Sequence, residues 1–199
     1  MATRALLLFL TVMLAGCAGY GIPATDNPDT KLSQADYLMN GAGRIMQARR
    51  MTEQAMMIFE ERKDEAGLAR AYREYGLVAL AGGMGDDPVI LRDPKVPFQP
   101  RPGDLRDAEI HLKHARDLSA ETRQPDLVAN IDFVLGNMEV MRGNPPAACP
   151  YYDRAIQDFG DAKAQRPDAK FELPPGIKDP VEFVVRAKRE AGCSSAQTE

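Results

Sequence analysis

Between Leu32 and Phe159 small residues recur at the spacing that paired antiparallel helices require. Gly136 is followed twelve positions later by Ala148, with Tyr152 and Ala155 four and seven further on. Gly43 and Ala55 share that separation, and Phe59 follows at plus four. Gly76 is followed by Ala108, Leu112 and Ala115, the same trio after twenty extra residues. Small side chains at such places let two helices approach closely, while the large residue fills the space between adjacent pairs. The pattern predicts an all-α chain of three hairpins. The first runs from about Asp36 to Ala66, with Met39, Gly43, Met46, Ala55 and Phe59 at matching positions. The second begins near Ala69 with Tyr72, Gly76 and Ala79, and resumes at Ala108. The third uses Leu135, Gly136, Ala148, Tyr152 and Ala155. A generic helical bundle is the competing architecture.

This spacing resembles the tetratricopeptide repeat (TPR), whose first helix carries a small residue at its eighth position and whose second carries Ala-x₃-Phe-x₂-Ala. The resemblance implies a TPR-like helical-hairpin solenoid of about three repeats plus a C-terminal capping helix, over residues 33–199, with an insertion at 82–103. It also implies a binding wall lined by the first helices, into which Tyr37, Asn40, Arg44, Arg73, Leu77, Phe133 and Asn137 project. An extended peptide or a helix from a protein partner is the expected occupant. The sequence departs from the repeat in several places. There is no Trp, Asp132 stands where an aromatic is common, Arg62 replaces a small residue, and the closing proline is missing from all three repeats.

Helix punctuation fits the same reading. Ser33-x-x-Asp36 reads as a capping box opening the first helix, and Asp104-x-x-Asp107 opens the helix after the insertion. Asn144-Pro145-Pro146 starts the second helix of the third repeat. Asp179-Pro180 starts a last helix that ends at Gly192. The insertion carries Pro88, Pro94, Pro97, Pro100 and Pro102 around Val89-Ile90-Leu91 and Val96-Pro97-Phe98, a composition suited to a loop packed on the helices.

The N-terminus addresses location. Arg4 precedes an apolar run from Ala5 to Leu14, and the run closes on Leu14-Ala15-Gly16-Cys17. Ten helical residues rise about 15 Å, half of a hydrocarbon core of about 30 Å, so the run is too short to span a bilayer. Charge, apolar run and cysteine in this order resemble the bacterial lipoprotein signal. The resemblance implies cleavage after residue 16, acylation of Cys17, and a flexible tether over residues 17–32. Ala18, where an aspartate commonly retains such proteins in the inner membrane, implies an outer-membrane anchor facing the periplasm. An ordinary secretory signal that contains a cysteine is the competing reading.

With Cys17 acylated, Cys149 and Cys193 remain as an even pair in an oxidising compartment, and a disulfide leads the assignment. It would join the start of the last repeat helix to the end of the cap, a bridge worth about 4 kcal/mol on the chain-entropy account. A free buried cysteine and a reactive nucleophile are the alternatives.

No motif for a metal, cofactor or catalytic centre is recognisable, so neither an enzyme nor a cofactor is expected. His111 and His114 lie three apart on one helix without a completing ligand, and their positions predict solvent-facing side chains. Glu60 to Glu65 reads as a solvated turn, and Gly82-Gly83-Met84-Gly85 lacks the strand and Lys of a phosphate loop. A net charge of −4 gives no footprint for nucleic acid. The sequence therefore predicts a lipid-anchored interaction scaffold or assembly factor for an envelope, secretion or pilus system. An anchored immunity or inhibitor protein is the alternative, and an envelope hydrolase ranks below both.

Overall fold

A computed structural model describes residues 23–82, 102–166 and 177–193 of the 199-residue chain. The N-terminal run with Cys17, and most of the insertion, lie outside the described residues. The described residues are all-helical. Helix α1 (Pro28–Asp36) passes into a π-helical turn (Tyr37–Gly41), followed by α2 (Ile45–Arg62) and α3 (Glu65–Gly82). Then come α4 (Pro102–Glu121), α5 (Pro125–Met141), α6 (Pro145–Gln165) and α7 (Pro180–Glu190). Each helix packs against its neighbour in sequence, and α1 also touches α3.

Turn chemistry sets this order. Lys63 between α2 and α3, and Arg123 between α4 and α5, hold φ of 55° and 57°. Gly143 between α5 and α6 and Gly192 after α7 hold φ of 74° and 76°. All four close a helix in one way. Lys63 N–H donates to Glu60 C=O and Asp64 N–H reaches back to Phe59 C=O; the same pair of bonds recurs at Arg123, Gly143 and Gly192. This left-handed cap satisfies the orphaned carbonyls and reverses the chain within two or three residues. After Lys63, Arg123 and Gly143 the next helix starts within two residues, and proline stands in the first turn of α5, α6 and α7.

The first helix opens earlier than the capping box predicts. Asn27, not Ser33, is its cap, accepting from Thr30 N–H at 3.1 Å. Pro28 supplies the preset φ, and Ser33 instead donates to Asp29 C=O within the helix. At the other end Asp179 caps α7 as expected, accepting from Val181 N–H at 2.9 Å.

The core lies between helix pairs. Leu105, Ala108, Leu112 and Ala115 of α4 meet Ile131, Leu135 and Met138 of α5. Ala148, Tyr152, Ala155 and Phe159 of α6 meet Ala129 of α5 and Val184 of α7. Two of the three predicted glycines stand alike. A Cβ on Gly76 would come within 2.7 Å of Leu112, and one on Gly136 within 2.7 Å of Tyr152.

Gly43 does not join them. It lies in the loop before α2 at φ 62° with nothing within 4 Å of a built Cβ. Its counterpart is Gly143, in the loop before α6. The buried residues of α2 explain the shift. Ala48, Thr52, Ala55 and Phe59 are buried at the four-three-four spacing of Ala108, Leu112, Ala115 and Ser119, and of Ala148, Tyr152, Ala155 and Phe159. The expected pairing of Ala55 and Phe59 with Ala148 and Tyr152 is thus two helical turns out. Polar Thr52 occupies the place of the large apolar residue, which hid the true register.

Candidate functional site

Polar bridges tie helix α1 to α3 and α3 to α5. Arg70 Nη2 of α3 reaches Asp29 of α1 at 2.8 Å, and Arg73 Nε reaches Asn130 Oδ1 of α5 at 2.6 Å. Six of the seven predicted wall residues fall on these helices or on the π turn, and Arg44 falls in the loop before α2. They divide into two groups.

Tyr37, Asn40 and Arg44 lie together around the π turn and are exposed, Tyr37 by 63%. Asn40 Nδ2 donates to Asp36 Oδ1 at 2.7 Å. Leu77 is half-buried. The remaining three are engaged in the fold. Arg73 bridges α3 to α5, with Nη1 3.6 Å from Glu74. Asn137 Oδ1 accepts from the Tyr152 hydroxyl at 2.8 Å. Phe133 packs between Tyr152 and Phe183 of α7, with ring centroids 6.1 and 4.9 Å away. The predicted residues are therefore exposed around the π turn, and at α5 Phe133 is packed against Phe183 of α7.

Two polar clusters escaped the sequence reading. Glu74 on α3 is 4% exposed, and its Oε1 has no hydrogen-bond partner; the Oε1 of Gln34 on α1 has none either. Burial pushes the Glu74 carboxyl up to about 7, with Asp36 adding to the effect and Arg73 opposing it. Asp132 on α5 is fully buried and takes a bidentate pair from Arg116 of α4 at 2.9 and 3.0 Å. Arg154 of α6 approaches the same carboxylate at 3.4 Å. One charge thus joins three helices. Burial and the neighbouring Asp132 raise Asp158 above the ordinary carboxylate range.

Of the two histidines expected to face solvent, His111 is partly buried. His111 packs in T-shaped contact with Tyr75 at 4.5 Å, and Tyr72 sits edge-on to His114 at 4.4 Å. Only His114 is exposed. Burial lowers the His111 imidazole, Asp107 3.6 Å away working against it. Tyr75 also accepts a hydrogen bond from Arg49 of α2, so this cluster joins α2, α3 and α4. Among the described residues no group of His, Cys, Asp or Glu is arranged to hold a metal ion. No described helix is long and apolar enough to cross a membrane.

Cys149 in α6 and Cys193 after α7 are brought to disulfide distance, with Cα atoms 5.6 Å apart. Two ion pairs run along the same contact, Lys188 to Asp153 and Lys163 to Asp179. Two open clefts are lined by other residues. One, of about 490 Å³, is lined by Lys31, Gln54, Met57, Ile58 and acidic residues; the other, of about 420 Å³, by Arg116, Ser119, Arg123, Gln124 and Asp158. Neither is lined by any of the seven wall residues.

No protein-family model matches this chain, and no curated protein matches it in sequence.

Proposed function

We propose that this protein is a lipid-anchored, TPR-like lipoprotein of the outer membrane, facing the periplasm, that binds another protein along the wall of α1, α3 and α5. It acts as a scaffold or assembly factor in the envelope and carries no catalytic centre of its own. The observation that supports this reading is the pair of polar bridges, Arg70–Asp29 and Arg73–Asn130, that tie α1 to α3 and α3 to α5. Side-by-side helices offer a continuous surface on which an extended peptide or a single helix is gripped at several points. The exposed Tyr37 and half-buried Leu77 supply apolar contact, with Asn40 and Arg44 as polar rim. Acylation of Cys17 holds the solenoid at one membrane and raises the local concentration of its partner.

Affinity capture from detergent-solubilised envelopes tests the reading, with wild type set against a Tyr37→Asp/Leu77→Asp variant of unchanged helix content. The proposal expects a discrete protein partner that the variant loses. Identical captured proteins from both would overturn it. Palmitate labelling that disappears in Cys17→Ser tests the anchor separately.

A further inference from the structure

We propose that the outward face of α2 is an interface between two copies of this chain, paired antiparallel about a twofold axis. Ala48, Thr52, Ala55 and Phe59 define the buried face of α2. At 100° per residue, Met46, Arg50, Glu53 and Met57 fall within about 60° of one another on the opposite side. All four are exposed, Met46 by 47% and Met57 by 67%, two of the most exposed large apolar side chains among the described residues. Methionine adapts to irregular apolar contact, and two of them about 16 Å apart on one stripe make anchors for a facing helix.

The partner is identified by symmetry in the sequence. Met46 and Met57 are equidistant from a point midway between Met51 and Thr52, and so are Arg50 and Glu53. A twofold axis through that point sets Met46 of one copy against Met57 of the other and Arg50 against Glu53, each contact made twice. The flanks agree. Arg44, Arg49 and Arg50 lie in and before the first two turns, and Glu53, Glu60 and Glu61 in the later ones; Arg62, at the last position, falls about 150° round the helix from this stripe, and Lys63 lies beyond the end. Antiparallel copies bring basic half against acidic half, whereas parallel copies would set like charges together.

Among the described residues Glu53 Oε1 takes only Arg49, at 3.1 Å, and the Arg50 side chain makes no hydrogen bond or ion pair. One helix face is a small contact, so the dimer is weak and depends on concentration.

Sedimentation velocity of the purified full chain, over about a hundredfold range of concentration, reads the association. Arg50→Glu and Glu53→Arg should each weaken the dimer about tenfold, and the double swap Arg50→Glu/Glu53→Arg should restore it. Met57→Asp should abolish it. Helix content by circular dichroism checks folding, and all four side chains are exposed. A chain monomeric throughout overturns the proposal, as does a double swap as weak as the single variants. Two chains sharing a detergent micelle through acyl groups would give a dimer indifferent to every variant, which overturns it too. Loss of this dimer leaves partner capture by α1, α3 and α5 intact, so the two proposals fail separately.

Discussion

Gly136 lies so close to the Tyr152 ring that a Cβ would stand 2.7 Å from Cε1, nearer than real Cβ contacts come. The ring cannot retreat easily, because its hydroxyl donates to Asn137 on the facing helix. Gly136→Ala should therefore destabilise the fold by about 1–3 kcal/mol despite the better helix propensity of alanine. Pairing it with Tyr152→Leu should recover part of that loss, since the smaller side chain opens the space. Gly43→Ala tests the corrected register. It should cost about 1 kcal/mol from backbone strain alone, and no facing side chain should rescue it. Thermal denaturation of the three variants separates the two causes.

The disulfide should hold α7 more than it holds the rest. Cys149→Ser or Cys193→Ser should lower stability by about 2–4 kcal/mol. Hydrogen exchange should accelerate first in Pro180–Glu190, since the ion pairs of Lys188 and Lys163 left behind lie on the surface. Uniform acceleration across α1 to α6 would contradict this local role.

Asp132 bears a buried charge that α4 and α6 both answer. Asp132→Ala leaves Arg116 and Arg154 to solvent and removes the link between three helices, so denaturant unfolding should show a loss of about 3 kcal/mol. Asp132→Asn keeps the volume and one acceptor oxygen, and should lose less.

Glu74 predicts a pH dependence of defined sign. Its carboxyl is raised from 4.5 to about 7 in the folded chain, so between those values the folded state binds more protons than the unfolded one. Its contribution is full below pH 4.5, falls as pH rises, and is gone above about 7. Glu74→Gln should flatten that segment of the stability curve and raise stability at pH 8 by about 1–3 kcal/mol. An unchanged slope in the variant would show that Glu74 is ionised throughout.

The hairpin architecture was legible in residues with one structural reason to exist. Gly76 and Gly136 are small because a neighbour fills their space, and Asp179-Pro180 and Gly192 mark the ends of α7 in the usual way. Repeat one was misread because Gly43 serves a backbone conformation and Gly76 a close approach, and sequence records both as the same letter. Asn27 hid as a cap because Ser33-x-x-Asp36 offers a better-known pattern five residues into the same helix. Of the wall, helix period could name residues on the first helices. It could not foresee that Phe183 of α7 would cover Phe133, or that Asn137 would be taken by Tyr152. Such contacts depend on a partner distant in sequence. Asp132 within the apolar run Leu127 to Leu135 was the visible sign of a buried ion pair, but its partners sit on two other helices.

Site-specific photo-crosslinking in the native envelope tests the central claim most directly. A photoreactive residue at Leu77, on the wall, is compared with one at Lys113, which is exposed on α4. The account predicts one discrete protein adduct from Leu77 and none from Lys113. Equal adducts at both positions, or none at either while the chain remains anchored and folded, would contradict it.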